Sequence, residues 1–238
     1  MPDLPRPALV VALPGTGSDA DFARRAFGPA CAALDLPFLA VEPDPRAVVA
    51  SCRAALDTAA RSGPVLAAGI SLGAAIAVEW ARARADSAFG VIAALPASTG
   101  DDAGECPAAL SAAATAAQLR ADGLAAVVER MRSSSPDWLA AALTQSWTAQ
   151  WPHLPEALEE AAAYPWPTPE TLAALSVPVT IVTAVDDPVH PLAVAERWAA
   201  LIPRSELHRI TLAELGADPG ILGCRGLARL AGRHATHR

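Results

Sequence analysis

Residues 64–78 read Pro-Val-Leu-Ala-Ala-Gly-Ile-Ser-Leu-Gly-Ala-Ala-Ile-Ala-Val. Pro64–Gly69 is a short, uninterrupted apolar run, which by its length is a strand buried on both faces. Gly73–Ala85 carries Ile76, Val78 and Trp80 among alanines and reads as a helix. Between them lies Gly69-Ile70-Ser71-Leu72-Gly73, a G-x-S-x-G turn in the strand-to-helix context that gives the motif meaning. The chain must reverse there within about two residues. The serine is therefore expected to take a strained conformation, and side chains at Gly69 and Gly73 would collide with the neighbouring strand and helix.

The same alternation runs outward on both sides. Ala8–Leu13, Leu36–Val41 and Phe89–Leu95 read as strands, and Pro45–Arg61 as a helix. Asp21–Leu34 has helical composition, with Gly28-Pro29 marking a place where it could split. Further on, Val179–Ala184 is a strand, Leu192–Leu201 a helix, Glu206–Leu212 a strand and Pro219–Leu230 a helix. The result is an α/β, doubly wound, mainly parallel sheet of about six strands, joined by right-handed crossovers.

Residues 100–172 break the pattern and contain no strand-like run. Pro107–Arg120 and Leu124–Arg132 read as helices. A third is expected to start at Ser135-Pro136, with serine as N-cap, and carries Leu139, Leu143, Trp147 and Trp151 at four-residue spacing. This gives a core of residues 1–99 and 173–238 with a helical lid, 100–172, inserted after the fourth strand. Four of the six tryptophans and the only tyrosine fall in the insertion. They serve either as filler packed on the sheet or as the lining of an apolar substrate pocket, and the sequence leaves both open. Trp147, Trp151 and His153 are the candidate substrate-binding residues.

On these motifs the chain resembles the α/β-hydrolase family over nearly its whole length. Ser71 matches the nucleophile of that family. Pro14-Gly15-Thr16-Gly17-Ser18-Asp19 is similar to its oxyanion loop, and Asp186-Asp187-Pro188-Val189-His190-Pro191 to its acid loop, where the position relative to proline selects Asp187. The resemblance implies oxyanion N–H groups from Leu72 and Thr16, a strand order of 2-1-3-4-5-6, and cleavage of an ester or thioester through an acyl-enzyme. It also implies a histidine after the last strand, in the loop expected at 213–218. That position holds Ala217, and no histidine occurs between His208 and His234. A serine hydroxyl needs a positioned base, so this is the main departure. His190 is one candidate base, or else a solvated loop residue. His153 is another, and Glu214 and Asp218 are weaker ones. His208 falls at the wrong end of its strand, and His234 and His237 in the tail.

The missing histidine keeps a second reading open, a non-catalytic member of the fold that binds a small molecule or a partner. A third, NAD(P) binding, comes from Gly15-Thr16-Gly17-Ser18-Asp19-Ala20 after the first strand and Glu42 after the second. Asp19 and Asp21 oppose it by placing negative charge where a pyrophosphate would dock. The 238 residues carry 53% hydrophobic and 18% charged side chains and a formal charge of −7, which argues against disorder and against nucleic acid or anionic membrane as partners. A small-molecule acyl substrate or ligand is the expected partner. Cys31, Cys52, Cys106 and Cys224 are widely spaced with no C-x-x-C pair. They read as buried thiols in a reducing compartment, so a cytoplasmic location with no metal and no cofactor is expected.

Overall fold

The computed structural model describes residues 6–100 and 106–235. Its sheet comprises β1 (Leu9–Leu13), β2 (Phe38–Ala40), β3 (Val65–Ile70), β4 (Ala88–Ala94), β5 (Val179–Ala184) and β6 (Ser205–Ile210). The order is β2-β1-β3-β4-β5-β6, and every neighbouring pair is parallel. β3 and β5 are buried along their whole length, as their unbroken apolar sequences require. The strand order reverses at β1, between β2 and β3. That reversal opens a crevice at the carboxyl ends of β1 and β3, the place where such sheets take ligands.

Helices α1 (Ala20–Ala33), α2 (Val48–Ala59) and α3 (Leu72–Ala83) follow the first three strands. α4 (Pro107–Ser134), α5 (Asp137–Gln150), α6 (Leu154–Ala162) and α7 (Pro169–Ala173) lie between β4 and β5. After β5 come α8 (Leu192–Leu201), α9 (Leu212–Ala217), α10 (Ile221–Gly226) and α11 (Ala228–Ala235). Alternate residues of the strands feed two cores. Val11 and Leu13 pack with α2, α3 and α8 on one face, and Val10 and Ala12 with α1, α9 and α10 on the other.

Several local differences from the sequence reading have physical causes. α1 runs unbroken through Pro29. Pro29 and Arg25, whose carbonyl would have taken the missing N–H, are both exposed, so the lost bond lies on the outer side of the helix. α4 bends at Gly123, which takes φ 77° and ψ 169° and separates the two expected helices. Pro136 rather than Ser135 caps α5, because both residues are extended. The stretch 213–218 is not a loop. Thr211 and Glu214 form a reciprocal capping box that starts α9, a T-x-x-E signature that was present in the sequence. Cys224 is exposed, unlike the other three cysteines, because α10 turns Leu222, Gly223 and Gly226 inward instead.

The aromatics between β4 and β5 fall into separate cores. Tyr164 and Trp166 join the core under α3 and α8. Trp147 packs with Leu119, Val127, Met131 and Leu158 in a separate small core formed by α4, α5 and α6. Among the described residues, no helix is long and apolar enough to cross a membrane. His237 and the side chain of His234 lie outside the described residues.

Candidate active site

Ser71 joins β3 to α3 with φ 53° and ψ −112°. A non-glycine residue at positive φ is strained, and the glycines around it allow the turn. A Cβ on Gly69 would lie 2.1 Å from the Gly73 oxygen, and one on Gly73 would lie 2.6 Å from the Pro14 oxygen. β3, α3 and the loop after β1 therefore touch backbone to backbone. The turn is held by the Ser71 N–H, which donates to the Ala94 oxygen at 2.9 Å. Leu72 opens α3, and N–H groups in a helix's first turn have no partner within the helix.

The loop after β5 brings two further side chains to Ser71. Asp187 Oδ1 accepts the N–H groups of Val189 (2.8 Å) and His190 (3.2 Å), which closes the loop on itself. Its other oxygen, Oδ2, lies 2.8 Å from His190 Nδ1, and His190 Nε2 lies 3.0 Å from Ser71 Oγ. A carboxylate only accepts, so Nδ1 carries the proton and Nε2 accepts from the Ser71 hydroxyl. Burial pushes the Asp187 carboxyl up. The hydrogen bond and charge of His190, with the two backbone N–H groups, outweigh that and hold it below its ordinary value. The His190 and Asp187 side chains are 15% and 8% exposed, so this chain of bonds is shielded from most solvent competition.

The three side chains border a cavity of about 690 Å³ between the sheet's edge and helices α4, α5 and α6. Its wall includes the apolar side chains of Phe22, Leu95, Trp138, Leu143, Trp147 and Leu158. It also includes exposed polar residues, among them Ser111, Gln118 and Arg130, the last bonded to Asp122 at 2.6 Å. Thr16 lines the cavity beside Gly15. α5 ties down the loop that carries it. Ser146 Oγ donates to the Gly17 oxygen at 2.7 Å, Gln145 Nε2 to Asp19 at 3.1 Å, and Gln150 Nε2 to the Ser18 oxygen at 3.0 Å.

Trp151 and His153 do not border this cavity. α5 ends at Gln150, so the four-residue spacing no longer applies at Trp151, which takes an extended conformation and is 41% exposed. His153 stands just before α6 and makes no capping hydrogen bond with its side chain. His208 sits on β6 beside Glu206 at 3.3 Å. Ala217, at the position where the family resemblance implied a histidine, is exposed. Glu214 is occupied in the capping box, and Asp218 accepts from the Gly220 N–H at 2.8 Å.

The groups that a dinucleotide would need are also occupied. The Ala20 N–H donates to Glu42 Oε2 and the Phe22 N–H to Asp19 Oδ1, both at 2.9 Å. The start of α1 is thus capped by the protein's own carboxylates, which would repel a pyrophosphate.

A family profile described as the alpha/beta hydrolase family matches residues 3–217, and the chain belongs to that family. No curated protein matches the sequence. Solved structures match its fold. A hydrolase from Pseudomonas aeruginosa aligns with TM-score 0.70 and 15% identity, over 94% of this chain and 90% of its own. A thermophilic esterase from Thermogutta terrifontis gives 0.68 and 16%, over 96% and 88%. An enol-lactonase from Burkholderia xenovorans gives 0.63 and 14%, over 87% and 84%.

Proposed function

We propose that this chain is a serine hydrolase that cleaves a small ester or thioester. The observation that carries the reading is the 3.0 Å approach of His190 Nε2 to Ser71 Oγ, with Nδ1 held by Asp187. His190 takes the hydroxyl proton as Ser71 attacks the acyl carbonyl, and Asp187 steadies the imidazolium that forms. The N–H groups of Leu72 and Thr16 stabilise the oxyanion. As the tetrahedral intermediate collapses, His190 passes its proton to the leaving alcohol or thiol and an acyl-Ser71 ester remains. Water, deprotonated by His190, then attacks that ester, releasing the acid and restoring the Ser71 hydroxyl. Helices α4–α6 act as the lid, and their apolar wall suits an apolar acyl group. The esterase and the enol-lactonase among the structural relatives favour an oxygen ester. The binding-protein reading rested on Ala217, and His190 supplies the base that Ala217 lacks.

The test is labelling by a fluorophosphonate together with turnover of p-nitrophenyl esters. The wild-type chain is expected to label and turn over, and Ser71→Ala to do neither. A folded wild-type chain that remains unlabelled and inert would return the assignment to a binding protein.

A further inference from the structure

Both oxygens of Asp187 bond within residues 187–190. Those bonds fix the carboxylate against the imidazole but leave open where the pair stands relative to Ser71. That placement depends on how the loop is tied at its start. The paired register of β5 and β6 ends with Ala184 opposite Ile210. The Val185 N–H still donates to the Ile210 oxygen at 2.9 Å. One residue on, a side chain takes over from the backbone: Asp186 Oδ1 accepts the Leu212 N–H at 2.7 Å. Asp186 thus carries the join between the two strand ends up to the residue directly before Asp187.

This bond is not needed to start α9, because Thr211 and Glu214 already cap that helix reciprocally. Its acceptor is a carboxylate, which makes it a charge-assisted and comparatively strong bond. The contact it bears on has little slack. His190 Nε2 stands 3.0 Å from Ser71 Oγ, toward the far end of the reach of a general base, about 2.6–3.2 Å. A small outward drift of the loop ends that contact while the Asp187–His190 bond stays intact.

We infer that Asp186 is a positioning residue for the proposed base. Through the Leu212 N–H it holds the 187–190 loop where His190 reaches Ser71. The inference rests on the hydrolase reading above. Asp186 takes no proton and touches no substrate, and what matters is the place of its acceptor oxygen.

Asp186→Ala removes that acceptor, and Asp186→Asn keeps one in the same place. D186A is expected to lower kcat for a p-nitrophenyl ester, and the rate of Ser71 labelling by a fluorophosphonate, by the same factor, roughly tenfold, with KM unaltered. D186N is expected to match wild type in both. Thr211→Ala, which weakens the α9 cap and spares the Asp186 bond, is expected to lower the melting temperature without lowering kcat. Four results overturn the inference: a wild-type kcat in D186A, a loss in D186N as large as that in D186A, a rise in KM in place of the fall in kcat, or an equal fall in T211A. If D186A does not fold, Asp186→Glu displaces the acceptor by one methylene. The kcat of D186E is then expected to fall below that of D186N, and equal values overturn the inference. Turnover and labelling that are the same in wild type and D186A sink this inference alone, whereas a wild-type chain that does neither sinks the hydrolase reading with it.

Discussion

The indole of Trp138 lies so close to Gly216 that a Cβ there would fall 2.5 Å from the ring. This contact pins α9, whose Leu215 is buried while Ala217 faces solvent. A histidine at 217 would therefore point away from Ser71. His190→Ala is expected to lower kcat by about 10⁴–10⁶. Adding Ala217→His to that variant should recover none of the loss, as judged by p-nitrophenyl ester turnover.

Ser146 is buried and its hydroxyl holds the carbonyl of Gly17, the residue after Thr16, whose N–H is the proposed oxyanion donor. Ser146→Ala leaves that carbonyl without this donor, which typically costs about 1–3 kcal/mol. The melting temperature is expected to fall. The kcat for ester turnover should fall more than KM rises, because the oxyanion N–H is displaced. A variant with unaltered kcat and melting temperature would show that the Ser146 bond has no part in aligning the loop.

Gly69→Ala and Gly73→Ala place a methyl group into backbone rather than into a movable side chain. Each should destabilise the fold by at least about 4 kcal/mol, within the range reserved for severe strain. Chemical denaturation or soluble yield measures this. Gly123→Ala, in contrast, meets nothing within 4 Å and is expected to pay only for its positive φ.

Tyr164 is the sole tyrosine, so its titration can be followed directly by phenolate absorbance. Burial, then the hydrogen bond to Glu79 at 2.6 Å, pushes its pKa far above the ordinary value. A raised folded pKa contributes stability that is fully present below the unfolded value, about 10, and fades as pH rises beyond it. The phenolate signal is therefore expected only together with loss of circular dichroism. A signal rising at pH 10 in the folded chain would contradict this burial.

A thiol reagent should separate the cysteines in the same way. Burial raises the Cys31 and Cys52 thiols to about 12, whereas Cys224 is exposed. Fast modification of Cys224 in the native chain is expected, with Cys31 and Cys52 reacting only on unfolding.

The sheet was legible because β1, β3, β4 and β5 are buried on both faces and read as apolar runs bounded by turn residues. Ser71 was legible from its two glycines, each required by a backbone contact. The proposed base was harder to read. His190 stood among the candidates, but whether a loop histidine turns toward the serine depends on the Asx-type closure at Asp187, which spacing alone does not specify. Trp151 misled because a four-residue period says nothing about where the helix stops. Glu42 matched an acidic position of a nucleotide fingerprint, yet its carboxylate caps α1. The small helix α9 was missed although Thr211 and Glu214 carry its signature.

Two of the three polar side chains that meet at the cavity come from four consecutive residues, 187–190. Only one distant encounter, between His190 and Ser71, has to be established as the chain folds, rather than the two required when acid and base sit on separate loops. The entropy of assembling the group is correspondingly smaller, and breathing of β6 and the helices after it leaves the carboxylate-to-imidazole distance untouched. The described residues after 190 supply none of these three polar side chains, and their share in the cavity is the apolar lining of Leu212 and Leu215.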